Sequence, residues 1–286
     1  MSIEDFWKLT RLEHSVMLAF AVAVGEIVAL RALPNFDILI LSVLSPMLVG
    51  AASFAINDYF DLRSDRINRR SDRPLVSGRV KPHSALLLSL LLFLAGIILS
   101  IFLNFNCFIL TLLFSLLAFL YSFKLKDIAL VGNIYIALTM AVPFIYGSLA
   151  VVNEVADAVL LLSSIAFVSG LAREMMGTAR DIRGDRAGRG SRTLPMLIGV
   201  RSSLLLSSLL YIVGIALSAV PYLYINPYAG NIFYLTPIII ADVMLAYIAL
   251  HSLKESSEEF MKASRDISLV AMFIALVGFL VALLVH

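Results

Sequence analysis

Nine apolar stretches recur along the chain, at roughly 15–34, 38–56, 85–104, 107–123, 128–151, 158–172, 203–223, 231–250 and 267–285. A helix needs about 20 mostly apolar residues to cross the hydrocarbon of a bilayer, and most of these stretches meet that length. Backbone polar groups in hydrocarbon must be satisfied within the protein, so the natural reading of such runs is helix. A membrane β-barrel would show alternating segments of about ten residues instead. The fourth and sixth stretches are short at face value. The fourth is extended by its flanks, and the sixth continues into Arg173 and beyond. The expectation is therefore an all-α integral membrane protein of nine transmembrane helices, in one domain over 1–286.

Composition agrees. Hydrophobic residues make up 60% of the 286 and charged residues only 15%, against roughly 45–50% and 25% in soluble domains. A soluble globule is excluded, and so is a disordered chain, which would be polar and highly charged. The single cysteine, Cys107, excludes an intramolecular disulfide, and the four scattered histidines argue against a histidine-built metal centre. A net charge of +2 gives nucleic acid no global electrostatic attraction.

The sides of the membrane follow from lysine and arginine. Of the 22 such residues, all but Arg31 fall at the N-terminus or in alternate gaps: 57–84, the Lys124–Lys126 turn, 173–201 and 251–267. The positive-inside rule places these segments, and the N-terminus, in the cytoplasm and the C-terminus outside. The leading MSIEDFWKLTRLEH is mixed in charge and reads as an amphipathic lead-in rather than a cleavable signal.

The two large charged segments each begin where an apolar span ends. In the first, Asn57, Asp61 and Asp65 recur every four residues, with Asp58 three before Asp61. If the second span simply continues as a helix, these stack on one face. Like charges at that spacing repel unless a cation lies among them, and hard oxygen ligands suit Mg²⁺. The second segment holds Asp181 and Asp185, again four apart, with Glu174 on the same face. Arginines are interleaved in both, including Arg66, Arg69 and Arg73 in one and Arg173 and Arg180 in the other. Carboxylates mixed with guanidiniums describe a site for a metal-bridged polyphosphate. Asp61 and Asp181 lie 120 residues apart, each after one apolar span and before two more, which looks like an internal duplication. Either motif alone also reads as a solvated helix end; two at equivalent positions favour the site. An anion transporter would share the repeat but hold its charges near the midplane, and a phosphate-binding scaffold would need the arginines without the aspartates.

The pattern N-D-x-x-D-x-x-x-D at Asn57–Asp65, with D-x-x-x-D at Asp181–Asp185, resembles the UbiA superfamily of intramembrane prenyltransferases. N-R-x-x-D-R-P-L-x-S-G (Asn68 to Gly78) and T-L-P (Thr193 to Pro195) extend the resemblance over nearly the whole chain. It implies a UbiA-type bundle of nine helices and Mg²⁺-dependent transfer of an isoprenyl group from a prenyl diphosphate, geranylgeranyl diphosphate being the expected donor. It implies metal ligation by Asn57, Asp58, Asp61, Asp65, Asp181 and Asp185, the last two pairs together with Tyr121 being catalytic. Substrate contacts are implied for Arg66, Asn68, Arg69, Arg73, Lys124, Lys126, Arg173 and Arg180. The acceptor stays open between two classes. A-R-E (Ala172 to Glu174) and T-L-P resemble the branch acting on glycerol-phosphate lipids of archaeal membranes, while R-L-E-H (Arg11 to His14) is nearer to the branch acting on aromatic acids.

Tyr135 and Tyr146 are expected to pack, Asn133 to make a polar contact and Pro143 a kink. Asp242, near mid-span, is expected to hydrogen-bond across helices, and Glu26, late in the first span, to reach the outer interface.

Overall fold

Ser2 opens the chain as a helix cap, its hydroxyl accepting from the Asp5 amide at 3.1 Å. From there the computed structural model, which describes residues 2–182 and 193–285, consists of eleven α-helices with no strand among the described residues. The short amphipathic α1 (Ile3–Thr10) leads into α2 (Leu12–Leu30), α3 (Phe36–Ile67), α4 (Pro82–Ile101) and α5 (Phe105–Phe123). A 3₁₀ turn, Leu125–Asp127, links α5 to α6 (Val131–Val152), which precedes α7 (Asp157–Arg180). The second half comprises α8 (Leu194–Ile198), α9 (Val200–Tyr224), α10 (Ile232–His251) and α11 (Glu258–Leu284). Nine of these, all except α1 and α8, are long and apolar enough to cross a membrane.

Three helices outrun their apolar stretch in the direction that matters. The second span does continue as helix, α3 running to Ile67 and carrying the first acidic motif with it. Likewise α7 runs through Arg173 to Arg180, and Asp181 is its C-cap. The last span differs from the sequence expectation. Its helix starts at Glu258 because Ser257 caps it, the hydroxyl accepting from the Phe260 amide. Lys262 and Arg265 thus lie on the helix rather than in a loop.

Packing repeats as the duplication suggests. Each motif-bearing helix lies along the helix that follows its charged segment, α3 against α4 and α7 against α9. The two halves meet where α2 and α6 cross with their backbones nearly touching. A Cβ on Gly25 would fall 2.2 Å from the Phe144 carbonyl oxygen, and one on Gly147 would fall 2.2 Å from that of Val22. Small residues that allow such approach are the usual means of joining helices in lipid, where the hydrophobic effect offers little between them. Buried serines add interhelical bonds, Ser45 to the Gly96 carbonyl at 2.9 Å and Ser207 to the Ala172 carbonyl at 2.8 Å. Leucines, isoleucines and phenylalanines of α4, α5, α9 and α10 face outward, the arrangement expected where lipid is the solvent.

Isolated polar residues in the spans mostly follow expectation. Asp242 accepts from Ser218 across helices at 2.8 Å, Asn133 donates to Thr178 at 3.3 Å, and Tyr146 is buried in a bond to Ser45 at 3.1 Å. Glu26 does not reach an interface. It is fully buried beside the α2–α6 crossing, since the first helix ends at Leu30 and Glu26 faces inward.

Candidate active site

Because α3 stays helical to Ile67, Asn57, Asp61 and Asp65 are stacked on one face, and Asp58, Asp61 and Asp65 are each at most 3% exposed. Carboxylates that close would repel, and burial would make each charge costly. The surrounding cations resolve this. Asp58 Oδ1 accepts from Arg73 at 3.0 Å and from Arg11 at 3.1 Å, and Arg73 also donates to Asp65. Asp61 accepts from the Lys126 ammonium and, at 3.0 Å, from the Asn57 amide. The same ammonium lies 3.3 Å from the Asn57 carbonyl oxygen.

The chain around the motif is built to hold these partners in place. After α3, Arg69 adopts a left-handed conformation that turns the chain back over the helix end and brings Arg73 onto Asp58 and Asp65. Helix α1 clamps that turn from the other side. Arg79 donates to Asp5 at 2.8 Å, and Leu9 packs fully buried against Leu75, Val80 and Ala85. The Ser2 hydroxyl, together with the Arg79 guanidinium, holds the Asp5 carboxyl below its ordinary value. Arg11 stacks over Phe54 at 4.9 Å while reaching Asp58, so the R-L-E-H segment has a structural role in the clamp.

Across the bundle, Lys126 borders a small pocket that the second half completes. Tyr121, Asn133, Thr178, Thr193 and Glu174 line it. Tyr121 stacks on Tyr135, ring centroids 4.5 Å apart, giving the pocket an aromatic wall. Tyr135 packs as expected, buried in the core behind the Tyr121 ring. Thr193 of the T-L-P motif is 7% exposed, and its hydroxyl lacks a hydrogen-bond partner. Glu174 accepts from Arg173 at 3.1 Å and faces Arg265 of α11 at 3.6 Å.

The predicted residues therefore divide. Asn57, Asp58, Asp61, Asp65, Arg73, Lys126, Tyr121 and Arg173 come together around the motif and the pocket. Asp181 sits at the rim, held by the neighbouring Arg180 through bonds of 2.7 and 2.8 Å. Arg66, Asn68, Arg69 and Lys124 are exposed; of the two lysines after α5, it is Lys126 that turns inward. Asp185 lies outside the described residues. Glu174 shows in the sequence only as a face-mate of Asp181, and Arg265 escapes notice there, because a hydropathy scan stops at it. The signal that marks Arg265 is the Ser257 cap with Glu258 and Glu259 in the first turn, a helix start.

The donor set suits a divalent cation. An ammonium already lies between Asn57 Oδ1 and Asp61, which marks that face as a seat for positive charge. Among the described residues, no three acidic, histidine or cysteine side chains converge on one point. Asn57, Asp61 and Asp65 would supply only part of the shell of a divalent ion, which suits Mg²⁺, an ion that usually keeps waters and phosphate oxygens among its ligands.

Comparison with known proteins agrees with this geometry. The UbiA prenyltransferase family matches residues 17–277. A digeranylgeranylglyceryl phosphate synthase of Archaeoglobus fulgidus is 36% identical over 277 residues, covering 97% of this chain and 94% of the relative. A solved structure concerning digeranylgeranylglyceryl phosphate synthase in membranes superposes with a TM-score of 0.84 at 28% identity, covering 99% of each chain. A UbiA homologue from A. fulgidus bound to GPP and Mg²⁺ shares the fold, with a TM-score of 0.68 at 20% identity over 97% of this chain and 99% of its own.

Proposed function

Since the chain belongs to the UbiA prenyltransferase family, we propose that it transfers a geranylgeranyl group from its diphosphate to geranylgeranylglyceryl phosphate, a step of archaeal membrane-lipid synthesis. The observation that carries the reading is full-length similarity to a synthase of that name, joined to a buried carboxylate array whose partner Lys126 borders a pocket lined by Tyr121. The protein is a multi-pass membrane enzyme. The charge distribution supports a cytoplasmic site, with the N-terminus inside and the C-terminus outside.

In this reaction the bond between the allylic carbon and the diphosphate oxygen breaks, and its electron pair leaves with diphosphate. A glycerol hydroxyl oxygen of the acceptor forms the new ether bond and its proton is released. Asn57, Asp61 and Asp65, with Asp181 and Asp185, would hold Mg²⁺, which when bound neutralises the departing diphosphate. Lys126 and Arg73 bring fixed positive charge to the same place, and preorganised charge of this kind usually contributes more to rate than any other single effect. Tyr121, backed by Tyr135, would present an aromatic face to a carbon that gains cationic character. The apolar spans accommodate the prenyl chains and keep water from capturing the cation. Arg11 of the R-L-E-H segment pairs with Asp58, which ties that segment to the carboxylate array.

Purified protein in lipid nanodiscs tests this with geranylgeranyl diphosphate, measuring diphosphate release with and without the glycerol-phosphate acceptor, in Mg²⁺ or in EDTA. Release that needs both acceptor and Mg²⁺ is expected. Release indifferent to the acceptor would indicate a hydrolase and overturn the reading.

A further inference from the structure

Buried below the second motif is a group of polar side chains that the carboxylate array does not use. Arg173 of α7 and Arg265 of α11 converge on the one carboxylate of Glu174, their side chains only 14% and 23% exposed. The other carboxylate within electrostatic reach of Arg173, Asp266, is exposed on α11. Among the described residues, two guanidiniums therefore share one buried counter-charge. Both Nε atoms are buried without a hydrogen-bond partner. Tyr211 of α9, fully buried, packs in one cluster with Ala172, beside Arg173, and with Met261, one turn before Arg265, and its hydroxyl is buried without a hydrogen-bond partner. Ser268 on α11 donates its hydroxyl hydrogen bond to the Arg265 carbonyl at 2.9 Å.

Such a surplus of buried donors costs free energy unless something accepts from them. The backbone is shaped to permit it. Gly177 stands 120 residues after Asn57, and a Cβ there would lie 3.2 Å from Arg265 Nε and 3.3 Å from its Cζ. Where the first half presents a metal-facing amide, the second half has cleared space for a guanidinium. Depth fits as well. Arg265 is seven residues into α11 and Arg173 seven before the end of α7, about 10 Å from each helix end at 1.5 Å per residue. Asp61, six residues before the end of α3, lies at a similar depth, about 9 Å. The pocket that Lys126 and Glu174 both line lies between the partner of Asp61 and the partner of the two arginines.

We propose that Arg173 and Arg265, with the Tyr211 hydroxyl beside them, bind the monoester phosphate of the lipid acceptor, apart from the donor diphosphate at the first motif. Guanidiniums match paired phosphate oxygens in geometry as well as charge. This rests on the function proposed above, and names the side chains that would distinguish a lipid phosphate from the corresponding alcohol.

The test uses the full-length protein in nanodiscs with Arg265→Gln, Arg265→Lys and Tyr211→Phe. Donor and acceptor are varied separately, with geranylgeranylglyceryl phosphate and its dephosphorylated alcohol as acceptors. Loss of a hydrogen bond to a charged group predicts an acceptor KM about 10- to 100-fold higher in Arg265→Gln. The donor KM should stay within about twofold and the slow rate on the alcohol should not change. Arg265→Lys should restore part of the loss, and Tyr211→Phe, which keeps the charges, should raise the acceptor KM more modestly. Acceptor-induced thermal stabilisation of the protein, measured without donor, should weaken in the same order. An unchanged acceptor KM would overturn the assignment. So would a donor KM that rises in parallel, which would give the pair to the diphosphate. Should the wild-type protein ignore the phosphate acceptor altogether, the function itself falls, an outcome visible before any variant is made.

Discussion

Replacing Asp58 by Asn should cost the protein stability while leaving its metal response intact. Asp58 is 2% exposed and accepts from Arg73 at 3.0 Å and Arg11 at 3.1 Å, with the Arg73 side chain only 13% exposed. Two unit charges about 4 Å apart attract by about 4 kcal/mol at an effective dielectric of about 20, and breaking a buried pair costs about 3–5 kcal/mol. The exposed Arg70–Asp72 pair, with side chains 50% and 68% exposed, is the internal control, worth at most about 1 kcal/mol. The assay is thermal unfolding in detergent of Asp58→Asn beside Arg70→Gln, followed by Mg²⁺ titration of activity. A much lower unfolding temperature is expected for Asp58→Asn than for Arg70→Gln, with the half-saturating Mg²⁺ concentration unchanged. Equal unfolding temperatures would mean that burial gives the Asp58 pairs no extra weight, and a strongly raised Mg²⁺ requirement would make Asp58 a ligand.

Asp61→Asn should lose about 10²–10³ in turnover, and it should also unfold at a lower temperature because its Lys126 partner is buried with it; near-normal turnover would mean that the carboxylate takes no part in the reaction. Cysteine labelling at Ser71 should report one side of the membrane, and at Asn153 and Asn226 the other; labelling of all three from one side would break the proposed topology. The Asp5–Arg79 clamp has a carboxyl held below its ordinary value, so its contribution is present above about pH 4 and is lost as pH falls through the lower folded value. Amide exchange in α1 should accordingly accelerate in strong acid relative to α4, and equal acceleration of both would show that the pair does not clamp the helix.

The sequence announces the bundle because lipid imposes its length rule on every span, and charge asymmetry counts the crossings. The continuation of α3 into its acidic motif is legible for a further reason: Asn57, Asp61 and Asp65 make sense together only at helical spacing. Which cation answers which carboxylate is not legible. Arg73 reaches Asp58 and Asp65 only after the left-handed turn at Arg69, and Lys126 rather than Lys124 turns inward only because a 3₁₀ turn follows α5. Spacing alone treats all these residues alike. Asp58 shows the limit most clearly, since its partners Arg11 and Arg73 come from segments 47 and 15 residues away that no motif spacing singles out. Glu26 is misplaced by the sequence because a count of residues locates depth, and only packing says which way a side chain faces.

Whether this chain makes the archaeal ether lipid is decided by the product itself. Purified protein, Mg²⁺ and geranylgeranyl diphosphate are incubated with an equal mixture of geranylgeranylglyceryl phosphate, its dephosphorylated alcohol and 4-hydroxybenzoate, and the lipids are read by mass spectrometry. Digeranylgeranylglyceryl phosphate should be the dominant product, absent when EDTA replaces Mg²⁺. A prenylated hydroxybenzoate with no digeranylgeranylglyceryl phosphate would contradict the proposed function.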